Sequence, residues 1–286
     1  MTNATSIRAP VVAGMFYHKN PTTLSEELEA LFQEALPPKI DSHIIALISP
    51  HAGYMYSGLT AAYGYKTLHL NESSLRQKNI ATAIIVAPSH FEFFENISVF
   101  PGKSYSTPFG EIEIDDKLRS QLLKENKNII ADEIGHRKEH AIEVQLPFLQ
   151  LLFGNRIKIL PIIIGNQTRE NCFSLGGTLA KISKEKNVVL IASSDLSHYY
   201  SAHEAEKLDE VFINDVKHFD EEKLMFDLEN NITEGCGGGC AVAVLHAAKL
   251  LGATQTRILH HRNSGDVTSD RERVVGYMSA VIVRES

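Results

Sequence analysis

Three short polar clusters, each following an apolar run, hold the residues best suited to chemistry. His51 lies in ISPHAGYMYSG, His90 ends IIVAPSH, and Asp195 and His198 lie in SSDLSHY. In the first, Pro50 stops the apolar run and Gly53 permits a sharp turn. In the second, Pro88 and Ser89 carry the chain to His90. Histidines set at the ends of buried strands suit metal ligation or proton transfer near neutral pH. Two histidines alone hold a divalent ion poorly, so a third, anionic ligand is expected. Asp195, three residues before His198, can orient that imidazole as a general acid or base. Asp195 can equally cap a helix starting at LSHYY, as can Ser193 or Ser194. A Ser–His–Asp hydrolase would carry a G-x-S-x-G elbow, which is absent. His140 and Glu143, in EHAIEVQLPF, share one face if that segment is helical. They and Ser89 are expected behind the ligands or along a substrate cleft.

The anionic ligand is sought in TEGCGGGCAVAV, which holds Cys236 and Cys240. Glycines before a helix can cradle phosphate, but neither G-x-x-x-x-G-K-[ST] nor G-x-G-x-x-G is present. A redox pair is normally C-x-x-C, whereas here three residues intervene, and parallel helical side chains do not meet disulfide geometry. Cys236 at the start of a helix gains from the dipole and the orphan N–H groups there, which lower a thiol's pKa. A thiolate at Cys236 then completes a site with His51 and His90. Glu234 is the alternative anion, and Cys240 reads as a small buried residue.

These residues need a scaffold that gathers strand ends. Apolar strands at 43–50, 81–90, 156–165 and 187–199 alternate with helices at 57–68, 139–154 and 169–186, the second with Pro147 as a kink. A long helical stretch follows from Ala202, and 255–264 and 273–283 close as strands. Near-continuous apolar strands alternating with helices predict an α/β fold: a central mixed, mostly parallel sheet covered by helices. In open α/β sheets ligands bind beyond the carboxyl ends of the strands, so His51, His90, Asp195 and His198 are expected to converge. Residues 69–79 read as a polar surface connection. No repeat or linker divides the chain, so 1–286 is read as a single domain.

Composition narrows the class further. The chain has 286 residues, 43% hydrophobic and 22% charged, with a formal net charge of −7. No basic stripe interleaved with aromatics points to nucleic acid, and no apolar run is long enough to span a bilayer. The N-terminal stretch lacks the pattern of a signal peptide. Three cysteines do not make a disulfide framework, so a reducing, cytoplasmic setting is expected. Thirteen histidines direct attention to metal and acid–base chemistry.

The segments RAPVVAGMFY, ISPHAGYMYSG, VAPSH, TPFGEIEID, EHAIEVQLPFLQ, SSDLSHY and the CGGG helix start, taken in order, resemble the Memo family. Its prokaryotic members are called AmmeMemoRadiSam system protein B. The resemblance covers nearly the whole chain and implies a fold like that of class III extradiol dioxygenases, non-haem Fe(II) enzymes with two His and one Glu as ligands. It matches His51 and His90 to the ligand histidines, His198 to the acid–base histidine with Asp195 beside it, and Cys236 to the cysteine standing in place of the glutamate. It implies a bound metal, iron or copper, with zinc also compatible with a thiolate. It further implies radical-SAM pathway proteins as partners and a small molecule or peptide in the cleft. Many prokaryotic members have a proline where this chain has Cys240. A thiolate softens the site relative to a carboxylate and adds an oxidisable group, so ring cleavage of catechols does not follow.

Overall fold

The computed structural model describes residues 6–73 and 80–285. In chain order its strands are β1 (Ile7–Arg8), β2 (His43–Ser49), β3 (Thr82–Pro88), β4 (Ile97–Val99), β5 (Ser104–Thr107), β6 (Gly110–Glu113), β7 (Ile129–Ala131), β8 (Lys158–Ile164), β9 (Val188–Ser193), β10 (His198–Tyr200), β11 (Gln255–Asn263) and β12 (Val274–Arg284). The helices are α1 (Pro21–Glu34), α2 (Leu59–Ser73), α3 (Asp116–Glu125), α4 (Leu146–Phe153), α5 (Arg169–Ser183), α6 (Ala202–Lys217), α7 (Glu221–Glu229), α8 (Gly238–Leu250) and α9 (Gly265–Thr268).

Apolar runs at the expected positions form the middle of the main sheet, whose order is β10-β12-β2-β9-β3-β8-β4-β7, with β11 paired to β12. The four central strands, β2, β9, β3 and β8, are parallel. The flanks make the sheet mixed: β12 is antiparallel to β2, β10 and β11, and β4 is antiparallel to β8. Side chains alternate across the sheet as a period of two requires. Ile84 and Val86 of β3 join one core with Leu175, Leu179 and Val242 of α5 and α8. Ala83, Ile85 and Ala87 join the other with Leu24, Tyr65 and Phe148 of α1, α2 and α4. Burial on both faces explains why these strands read as continuous apolar runs.

Helix starts follow local chemistry. Asn20, Asp115, Thr168 and Ser201 each cap a helix by accepting backbone N–H bonds. The segment 139–154 corrects the sequence reading. It is not one kinked helix: residues 143–145 form a 3₁₀ turn, and α4 begins at Leu146 with Pro147 in its first turn. Proline is favoured there because the N–H it lacks would have no partner. Of the polar connection at 69–79, residues 69–73 are the last turn of α2, and 74–79 lie outside the described residues. A small sheet of β1, β5 and β6 lies apart from the main one. No helix among the described residues is long and apolar enough to cross a membrane.

Candidate metal site

The sheet register brings the polar clusters together. Ser49 and Ser193 are paired at the last rung between parallel β2 and β9, so His51 and Asp195 both stand two residues beyond it. Strand β3 flanks β9 on its other side and delivers His90. His140 arrives from the loop before α4. The side-chain donors of His51, His90 and His140 lie within 4.8 Å of one another, a geometry able to hold a metal ion. The rings of His90 and His140 stack with centroids 4.9 Å apart, and that of His51 meets both edge-on. His140 therefore stands among the other two imidazoles, not behind the ligands or along a substrate cleft as its sequence context suggests.

Hydrogen bonds fix which nitrogen each histidine offers. The Ser193 hydroxyl gives its single proton to the Ala141 carbonyl at 2.7 Å, so it must accept from His51 Nδ1 at 2.9 Å. His51 Nε2 then carries the unprotonated lone pair, which faces the Cys236 sulfur and can ligate an ion. Gln145 holds the arrangement by donating to both Ser193 Oγ and the Pro50 carbonyl, while its own oxygen accepts the Tyr65 hydroxyl. His90 Nδ1 lies 3.0 Å from Glu139 Oε1, which leaves its Nε2 for an ion. A carboxylate behind a ligating imidazole fixes the tautomer and raises its basicity.

No sequence pattern singles out Glu139 as part of the site. It accepts the backbone N–H of His90 at 2.6 Å and those of His140 and Ala141 at 2.8 and 2.9 Å. Burial raises its pKa, but the bond and the charge of His90 outweigh this and bring it down to about 2. Burial also lowers His90, yet Glu139 holds it above the ordinary histidine value. His51 is lowered to about 3 by burial and by His90, and His140 to about 4 by burial and by His51. Both are neutral at physiological pH, as metal donors must be.

Cys236 lies against His51, but its charge differs from the expectation. Its sulfur is 3.0 Å from His51 Nε2 and accepts the Asp195 N–H at 3.3 Å. Helix α8, however, starts only at Gly238. The nearby N–H groups are already used: Gly237 donates to Ser194 Oγ and Gly239 to Gln167 Oε1. Burial and the Asp195 carboxylate push the thiol well above its ordinary value, which corrects the expectation of a dipole-lowered thiolate. The same two bonds remove the basis of a phosphate cradle. The glycines serve close approach instead: a Cβ at Gly237 would collide with the Ser193 carbonyl, and one at Gly239 with Cys172 and Gln167. Cys240 is buried, as read.

Other roles shift as well. Asp195 does not orient His198; its Oδ1 accepts the His51 N–H at 2.7 Å, and Oδ2 is 4.0 Å from His51 Nε2. His198 Nδ1 donates to the Leu196 carbonyl at 2.8 Å, leaving Nε2 free. Glu234 is occupied with the His198 N–H and the Tyr200 hydroxyl and is not a ligand. Glu143 lies outside the cluster: it is paired with Arg8 and accepts Val11 N–H, Val12 N–H and the Tyr17 hydroxyl. Ser89 closes a local turn by donating to the Glu92 carbonyl at 2.6 Å. Ser193, Gln145 and Glu139 carry no spacing signal, because their partners lie 48 to 142 residues away in some cases and on non-periodic turns in others.

Comparison with known proteins bears on family and fold. The family described as Memo-like protein matches residues 8–281. A MEMO1 family protein of Nitrosopumilus maritimus is 36% identical over 275 residues, covering 95% of this chain and 98% of the relative. A MEMO1 family protein of Methanocaldococcus jannaschii is 38% identical over 287 residues, covering 96% and 99%. Among solved structures, an uncharacterized protein from Escherichia coli K12 superimposes with a TM-score of 0.57 at 15% identity, covering 84% of this chain and all of that one. At that identity the likeness speaks to the fold alone.

Proposed function

The chain belongs to the Memo-like protein family, and from that premise we propose that it is a metal-dependent redox protein. His51, His90 and His140 hold the ion, with Cys236 joining as thiolate when the ion displaces its proton. The observation that carries this reading is the trio of converging imidazole donors, with the Nδ1 atoms of His51 and His90 already committed to Ser193 and Glu139. An imidazole-rich set beside a thiol suits iron or copper, and also accepts zinc. When bound, such an ion supplies Lewis acidity and, as iron or copper, one-electron chemistry.

The surrounding residues have their own parts. Glu139 orients two donors, Asp195 anchors the His51 backbone, and Gln145 locks Ser193. His198, with Nε2 free and close enough to act electrostatically on His51 and Asp195, is the acid–base residue of the proposal. The test is the metal content of protein purified without oxygen, followed by reconstitution with iron and copper. About one ion per chain is expected. No bound metal before or after reconstitution would overturn the reading.

A second reading, capture of a peptide, draws on two aromatic rings beside the site. Phe16 and Phe91 meet the His140 ring at 4.9 and 6.1 Å, and Phe91 is exposed. It requires that peptide affinity survive replacement of His51 and His90 by alanine.

A further inference from the structure

A cavity of about 830 Å³ opens at the end of the sheet opposite the histidines. It lies where β2 and β9 begin, where β12 ends, and beneath the last turns of α5 and α8. None of its lining belongs to the metal site, and its size is that of a pocket for a small organic molecule. Its floor is apolar, made by Ile45, Ala180, Leu190 and Leu251.

Its rim is cationic in a chain whose net charge is −7. Lys181 and Lys186 are tethered to Glu125 and Gln121. Lysines at the end of α5, Lys184 at its C-cap included, also complement the helix dipole. Lys184 and Arg284 have no carboxylate partner among the described residues, and Arg284 comes from β12, where no helix end accounts for it. Arg284 also faces His43 across the β2–β12 pairing, and together with burial it disfavours a charge there. Glu185 is the single acid in the lining. Ser183 also borders the cavity, but its hydroxyl is buried and presents no surface to it.

We propose that this cavity binds a small organic anion with an apolar body, whose head group is held at the cationic rim by Arg284 together with Lys184. The apolar part would cover Ile45, Leu190 and Leu251, removing surface from water. The site is independent of the metal and separate from any substrate bound at the histidines.

Decanoate is the probe, titrated calorimetrically into the full-length, metal-reconstituted protein, with decanol and inorganic phosphate as controls for the apolar part and the charge. One saturable site is expected, with decanol and phosphate at least tenfold weaker. The double variant Lys184→Glu/Arg284→Glu should weaken decanoate at least tenfold, with metal content unchanged. Absence of saturable decanoate binding overturns the proposal, as does equal affinity in the double variant. Decanol binding as tightly as decanoate would mean an apolar hollow without an anion site, and would overturn it too.

Discussion

Glu139 and His90 are joined twice: one carboxylate oxygen accepts the His90 N–H at 2.6 Å, and the other meets Nδ1 at 3.0 Å. That second oxygen also accepts the His140 N–H at 2.8 Å. One buried carboxylate therefore sets the position of two of the three converging imidazoles.

Glu139→Gln keeps the shape but removes the charge and one acceptor. Metal affinity should fall about 10- to 100-fold, the usual cost of losing such a support. Competition titration with a chelator measures it, alongside a thermal melt to confirm that the variant is folded. Unchanged affinity in a folded variant would show that Glu139 supports the loop only.

The two cysteines near α8 should separate cleanly. With Cu(II) added, the wild type should show a sulfur-to-metal absorption band that Cys236→Ser loses, together with much of its affinity. Cys240→Ser should keep both, since that thiol is fully buried among apolar neighbours. Equal effects of the two substitutions would assign the thiol ligand wrongly.

The metal-free protein should lose stability in mild acid. His51 and His136 are depressed to about 3, and His140 to about 4, each chiefly by burial. The unfolded chain protonates these histidines near 6.5 while the folded chain resists. Their contribution is therefore complete above pH 6.5 and is lost as pH falls toward 3. Each costs about 1.4 kcal/mol per pH unit within that window. His90, raised by Glu139, works in the opposite sense for a single group. Melting temperature measured from pH 7 to pH 4 should decline steadily, and a flat profile would contradict the assignment.

The N-terminal segment should matter more than its position suggests. Arg8 donates to the His136 and Glu139 carbonyls and pairs with Glu143, a carboxylate with no exposed surface. Arg8→Met leaves that charge unpaired and should cost about 3–5 kcal/mol in denaturant unfolding. Adding Glu143→Gln should recover part of the loss. A cost below about 1 kcal/mol would mean that Val11, Val12 and Tyr17 satisfy Glu143 without help.

Gly237→Ala should be among the most damaging small changes. The added methyl would meet the Ser193 carbonyl, and both backbones are fixed. Loss of soluble protein or a melting temperature lowered by several degrees is expected, whereas Gly177→Ala, with open space around it, should be neutral or stabilising.

Much was legible in the residues themselves. Apolar runs located the four central strands, because strands buried on both faces must be apolar throughout. Caps such as Thr168 and Ser201 bond within three residues, so they mark helix starts locally. Proline and a polar cluster after each strand marked His51 and His90, since a parallel sheet presents its strand ends together. The tertiary structure decided what depends on distant groups. His140 joined the cluster through a turn that follows no helical period. Asp195 serves His51, 144 residues away, rather than its neighbour His198. The charge of Cys236 was set by burial and by the Asp195 carboxylate, overriding a helix end whose N–H groups Ser194 and Gln167 had already taken. Local pattern fixes which backbone forms which element, but desolvation and hydrogen-bond satisfaction are sums over everything packed around a group, and only the folded chain brings those neighbours together.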